Sequence, residues 1–346
     1  VNVTSPASGR DVVHDVGRAD VARRAYSIPM RTRFRGITNR EGLLLNGPAG
    51  WGEFSPFLDY DAPECVPWLR AAHEAAFNGF PANVREEIPV NVTVPAVGPE
   101  RAEEIVRDSG GCTTAKVKIA EPGQSRKEEK DRLAAVRNAL GPNGKIRIDA
   151  NAAWDQDTAI NAITELNRAA GGLEYVEQPC PTVPELAAVR RRVTVPIAAD
   201  ESIRRAEDPF EVVRANAADV VVLKVQPLGG VRACLELAEA IGIPVVVSSA
   251  LETSVGLAAG VALAAALPQL PHACGLATAH LLTSDVVDSP LKPVNGAITV
   301  ARPPANETLL ETVTDDVHKR WDDRLTATLH AMTQFTNDGS VKTREK

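Results

Sequence analysis

The chain lacks most of what several large protein classes are built from. Lys and Arg are outnumbered 38 to 45 by Asp and Glu, and they are scattered. Aromatic residues make up only 4% of the chain, so no aromatic-interleaved basic patch can be assembled. A general nucleic-acid binder, which carries a basic surplus, is thereby excluded. The five cysteines, Cys65, Cys112, Cys180, Cys234 and Cys274, are odd in number and widely spaced, with no CxxC pair. That excludes a disulfide framework and a cysteine zinc site, and it fits reduced thiols in the cytoplasm. No apolar run approaches the roughly 18 residues needed to cross a bilayer. The longest, Val255 to Leu267, is Ala-rich and Gly-broken and reads as a buried helix. The first 25 residues hold no apolar stretch of the kind a secretory signal needs, so none is expected.

What is present is a rhythm. Hydrophobic residues at 44% and charged residues at 24% are ordinary for a globular protein. Residues 1–25 have no sustained periodicity and read as a disordered extension outside the folded core. Residues 26–87 form a small α+β unit, with strand-like stretches around Met30–Arg35 and Gly50–Phe54, hairpin punctuation at Asn46-Gly47-Pro48, and a helix over Pro63–Ala76. After Pro89, eight short apolar runs alternate with helical stretches, beginning at Val90–Val94 and ending at Ala273–Leu276. Such runs suit strands of a parallel sheet buried on both faces. Eight repeats suggest a closed (β/α)₈-type barrel over residues 88–284. No glycine-rich phosphate fingerprint follows the first strand, which counts against an open dinucleotide-binding sheet. Residues 285–346 return to mixed character, with a segment over Pro290–Val300 expected to pack back on the N-terminal unit.

Charge gathers at the strand ends. In Ala115-Lys116-Val117-Lys118-Ile119, alternation places both lysines on one face and the apolar residues on the other. Asp149, Glu177 and Asp200 each end the next three strands, and Lys224 lies on the one after, at intervals of 23 to 31 residues. Barrel enzymes hold their working groups at the C-terminal ends of strands. A single carboxylate there reads first as a helix N-cap. Three on consecutive strands suit a hard dication such as Mg²⁺, with Mn²⁺ as an alternative. Lys118 and Lys224 would then stand on opposite sides of the ion, and a partly desolvated lysine can act as a base. Lys224 could instead be a Schiff-base lysine of an aldolase, which would leave the three acids unexplained.

The motifs Lys116-Val-Lys118, Asp149-Ala-Asn151, Glu177-Gln-Pro179, Asp200-Glu-Ser202 and Lys224 resemble the signature of the enolase superfamily, muconate lactonizing enzyme subgroup. The resemblance implies a (β/α)₇β modified TIM barrel under an N-terminal α+β capping domain, and it covers about residues 26–300. Arg33-Phe-Arg-Gly-Ile37, the stretch Gly50–Tyr60 and Gly275-Leu-Ala-Thr278 are similar to the o-succinylbenzoate synthases of menaquinone biosynthesis. Those enzymes dehydrate 2-succinyl-6-hydroxy-2,4-cyclohexadiene-1-carboxylate, a small-molecule carboxylate, through an enediolate. The resemblance makes Lys118 the base and then the acid, puts Lys224 on the opposite face, and makes Asp149, Glu177 and Asp200 the metal ligands. Lys116 could neutralise the substrate carboxylate or pair with an acid. Asn151 and Glu201 would orient ligands, and Ser248, Ser249 and Glu252 would meet the succinyl arm. Ser249 reads equally as a helix cap. Phe54 and Tyr60 fall where capping loops would shield a pocket. His272 and His280 have no acid partner in this reading and stay outside the site. N-succinylamino acid racemases and dipeptide epimerases use the same two lysines. Gly275–Ala279 lacks the paired acids that an epimerase needs for a substrate ammonium.

Overall fold

A computed structural model describes residues 9–18, 21–205, 208–310 and 313–341, with side chains described as far as residue 334. The N-terminal unit is an antiparallel sheet of β1 (Ala22–Phe34), β2 (Ile37–Gly47) and β3 (Gly50–Phe54). Two-residue loops join them. Phe34 pairs with Ile37 across Arg35 and Gly36, both at positive φ (50° and 77°), as the tightest right-twisted hairpins require. Helix α2 (Ala62–His73) starts at Asp61, which forms a reciprocal capping box with Glu64, and it buries Trp68, Leu69 and Ala72 against the sheet.

The extension expected at 1–25 is corrected in part by the structure. Residues 9–17 form helix α1 (Gly9–Gly17), and Val12 and Val16 enter the core that contains Trp68 and Trp321. A pair of apolar residues four apart is a short signal, and here it suffices because a long C-terminal helix packs over α1. His73 on α2 also meets Asp15 at 2.8 Å. Residues 1–8 and 19–20 lie outside the described residues.

After β4 (Glu87–Pro89) the chain winds a parallel sheet. Its strands are β5 (Val92–Val94), β6 (Thr114–Lys118), β7 (Lys145–Asp149), β8 (Tyr175–Glu177), β9 (Ile197–Ala199), β10 (Val220–Leu223) and β11 (Val245–Val247), neighbours in chain order. Helices α3 (Pro99–Arg107), α4 (Arg126–Leu140), α5 (Gln156–Ala169), α6 (Val183–Arg190), α7 (Glu201–Arg204), α8 (Glu211–Arg214), α9 (Val231–Ile241) and α10 (Ser254–Ala266) fill the connections. The eighth apolar run makes single parallel bridges, Val90 to Cys274 and Ser248 to Gly275, between the two edges of the sheet. The result is a (β/α)₇β barrel closed by a thin seam.

Alternation sorts the strand residues. Val117, Ile148, Val176, Ile197 and Leu223 point outward into the large core under the helices, whereas Tyr175, Ala198, Val220, Val222 and Val246 fill one half of the barrel interior. The other half is polar. Arg147 is fully buried and bonds Glu174 (2.5 Å), Asn91 (3.1 Å) and the Ala273 carbonyl (2.7 Å). His272 does find an acid: its Nδ1 lies 3.1 Å from Glu174, at the end of the barrel away from Lys118 and Lys224. The C-terminal residues return to the start of the chain. α11 (Asp315–Val341) packs on α1, α2 and β1, but the stretch Pro290–Val300, expected on the N-terminal unit, does not: β12 (Ala297–Thr299) pairs with β4, and Ile298 joins Ile88 in the core under the barrel helices. All five cysteines are free and buried.

Candidate active site

Parallel register sets the charged row. Lys118 pairs in register with Asp149, and Asp149 with Glu177, so these side chains leave adjacent strands at one level. Asp200 directly follows β9, and Lys224 directly follows β10. Asp149, Glu177 and Asp200 are 1%, 1% and 0% exposed. Three carboxylates this deep require partners, since an unpaired buried charge is costly. Lys116 Nζ donates to Asp149 (3.2 Å) and Glu177 (2.9 Å). Lys118 Nζ donates to Asp149 (2.5 Å) and to Asn151 Oδ1 (2.7 Å), and Lys224 Nζ to Asp200 (2.5 Å). The row therefore has a lysine at each end and a third beneath its middle.

The electrostatics follow from this packing. Burial raises the pKa of Glu177, and neighbouring Asp149 pushes it further, to about 7. Burial acts the same way on Asp149 and Asp200. Lys118 and Lys116 nevertheless hold Asp149 well below the usual carboxylate range, and Lys224 and Arg204 hold Asp200 down. Burial works against the Lys116 ammonium, but Glu177 and Asp149 keep its pKa above the ordinary lysine value.

As the side chains lie, no three Asp, Glu, His or Cys side chains among the described residues converge as ligands of one ion. Each carboxylate of the row turns to an ammonium or guanidinium instead. The donor chemistry nonetheless fits a hard divalent cation. Three oxygen-bearing groups end consecutive strands at one level, the hard donors such a cation takes.

Above the row opens a cavity of about 710 Å³ between barrel and cap. Lys116, Lys118, Lys224, Asn151, Glu201, Ser248 and Ser249 all line it. Asn151 Nδ2 reaches Glu201 at 3.3 Å. Ser249 does not cap α10; its hydroxyl lies 2.7 Å from that of Thr278. Glu252 does not reach the cavity. It is 1% exposed, and its carboxyl folds back on the Ala250 amide (2.8 and 2.9 Å). Phe54 packs edge-on against Trp321 in the core, whereas Tyr60 lines the pocket.

Two contributors escaped the sequence reading. Gln178, between the two halves of Glu177-Gln-Pro179, accepts from the Asp200 and Ser202 amides (2.9 and 3.2 Å) and so fixes the turn after β9. Its own φ of 38° lies in the left-handed region, a cost the surrounding bonds sustain. Its adjacency to a strand-end acid was the available signal. Arg204, one helical turn after Asp200, bonds Asp200 (3.0 Å) and Glu201 (2.6 Å). An i,i+4 spacing could have suggested it.

Comparison with known proteins agrees with this architecture. The family described as "Enolase C-terminal domain-like" matches residues 99–304, and "Enolase N-terminal domain-like" matches residues 25–76. The o-succinylbenzoate synthase of Thermobifida fusca (strain YX) is 64% identical over 315 residues, covering 91% of this chain and 98% of that protein. That of Mycolicibacterium smegmatis is 55% identical, covering 79% and 84%. Among solved structures, muconate lactonizing enzyme from Pseudomonas putida superposes with a TM-score of 0.70 at 21% identity, over 84% of this chain and 98% of that one.

Proposed function

We propose, from the premise that the chain belongs to the enolase superfamily and stands among its o-succinylbenzoate synthases, that it dehydrates 2-succinyl-6-hydroxy-2,4-cyclohexadiene-1-carboxylate to 2-succinylbenzoate. The reaction is a carbon–oxygen lyase step of menaquinone biosynthesis, and we place it in the cytoplasm, where five free thiols persist. The observation that carries the reading is the placement of Lys118 and Lys224 at the two ends of one buried carboxylate row.

Asp149, Glu177 and Asp200 would hold a divalent cation, Mg²⁺ in our reading. When bound it supplies positive charge beside the substrate carboxylate, where an enediolate accumulates negative charge. The chain's own residues do the rest. Lys118 Nζ takes the proton from the carbon alpha to the carboxylate. The same group returns that proton to the departing hydroxyl on the same face, so one C–H and one C–O bond break and water leaves. Asn151 and Asp149 fix the direction of the Lys118 ammonium between the two transfers. Lys224 stays protonated on the opposite face, as a cation over the ring as it becomes aromatic. Lys116 bridges Asp149 and Glu177 and offsets part of the repulsion between them.

The test is loss of diene absorbance in Mg²⁺ with the unaltered protein beside Lys118→Ala and Lys224→Ala. Fast loss in the first, and a drop of about a thousandfold or more in both variants, is expected. Equal rates in all three would remove Lys118 as the base. No loss in the unaltered protein, with N-succinylamino acids racemised instead, would redirect the assignment within the superfamily.

A further inference from the structure

The cavity carries more positive charge than its reactive floor uses. Seven cationic side chains line it against two carboxylates, Glu121 and Glu201. Three of the seven are the lysines on the carboxylate row, and Arg204 is committed to Asp200 and Glu201. Arg33, Arg35 and Arg205 remain, and all three are exposed.

Two of these share a mount. The guanidinium carbons of Arg35, from the β1–β2 turn, and Arg205, from the loop after α7, each stand 5.3 Å from the centre of the Tyr60 ring. Arg35 also covers Phe57 at 3.8 Å, and the Tyr60 hydroxyl accepts from Arg35 (3.3 Å) and Arg204 (3.2 Å). Stacking fixes the plane of a guanidinium while leaving its N–H edge open to a carboxylate. The present acidic neighbours are loosely held. Arg35–Asp59 and Arg205–Glu64 both span 3.5 Å, with Asp59 largely in water and Glu64 partly so. Exposed pairs of that kind contribute little, so a carboxylate ligand can displace them at small cost.

We infer that Arg35 and Arg205, stacked on Tyr60, form the subsite for the terminal carboxylate of the substrate's succinyl arm, an assignment that rests on the reaction proposed above. The substrate is a dianion at neutral pH. Its ring carboxylate belongs at the floor, and its second charge cannot share that floor with three acids. The opposite wall offers no cation: Ser248 and Ser249 are neutral, Ser249 is bonded to Thr278, and Glu252 is turned away under the cap. Charge complementarity therefore exists on the arginine side alone.

Binding of the stable product separates the possibilities. Calorimetry on the Mg²⁺-loaded protein would compare 2-succinylbenzoate with benzoate, which has no arm and so controls for an intact pocket. The unaltered protein is expected to prefer 2-succinylbenzoate by about a hundredfold. Arg35→Met and Arg205→Met should each cut that preference about tenfold, the double variant should erase most of it, and the two Arg→Lys variants should recover part. In turnover, the loss should fall on KM more than on kcat. A double variant that turns over the diene with an unchanged KM and an unchanged preference overturns the subsite and leaves the reaction standing. An unaltered protein that neither dehydrates the diene nor prefers 2-succinylbenzoate removes the reaction, and the subsite with it.

Discussion

Glu252 and Glu53 face one another where the cap meets the barrel, and only Glu53 is well supplied with donors. Tyr26, Ser55, Thr253 and the Gly256 amide all give it hydrogen bonds, while the Arg40 guanidinium lies beside Ser55. Burial and the charge of Glu53 push Glu252 up to about 7. Its folded pKa thus exceeds the ordinary carboxylate value, so the folded chain holds a proton that the unfolded chain releases. Stability from this group is full below about pH 4.5 and declines as pH rises toward 7, by about 3 kcal/mol in total. Glu252→Gln should flatten that decline and raise the melting temperature at pH 8, read from thermal unfolding at a series of pH values; an unchanged slope would remove Glu252 as its source. The strand-end residues were legible because period two and a βα-length interval fix where each one lies. Glu252 was not. Leu251 takes a φ of 67°, and spacing rules do not carry across a left-handed residue.

Strand β3 meets helix α2 backbone to backbone. A methyl group at Gly52 would overlap the Ala72 carbonyl oxygen, and one at Gly47, the last residue of β2, would overlap that of Ala76 just past the end of α2. Neither obstacle is a side chain that can swing aside. Gly52→Ala should cost about 2 kcal/mol or more by forcing the strand off the helix, measurable as a lower denaturant midpoint. A second element-level tie is Arg40 on β2. It is 2% exposed and donates to the carbonyls of Ser55 (2.5 Å), Leu251 (2.9 Å) and Ala250 (3.3 Å). Arg40→Met would leave those carbonyls unpaired. A loss of about 3 kcal/mol in stability is expected, with a fall in kcat/KM because Ala250 and Leu251 form the pocket wall. Unchanged stability and turnover would mean the wall stands without it. The barrel helices were legible as the stretches that alternate with the apolar runs. Arg40 was not, because its partners lie up to 211 residues away and no local pattern announces them.

At the scale of the molecule, the carboxylate row ties activity and stability together. Excess EDTA should abolish dehydration and Mg²⁺ should restore it. If the ion binds only the folded chain, a hundredfold excess over its Kd should add about 2.7 kcal/mol, visible as a higher melting temperature. Full turnover in chelator would remove the cation from the reaction. The barrel could be read from the sequence because each repeat advertises itself, whereas the ordered helix within residues 9–18 depends on two valines and a partner more than 300 residues on. The free cysteines have a consequence of a different kind. Burial raises Cys65 and Cys274 to about 11, so neither accessible surface nor thiolate is on offer while the chain stays folded. Four of the five lie in the large core under the barrel helices and one lies under the cap. A chromogenic disulfide reagent should therefore stay colourless until the chain opens, and each labelled thiol, located by mass, would time one region's excursion. Cys274 sits on the seam held by single bridges and should be labelled first, making the molecule its own stopwatch for where it breathes.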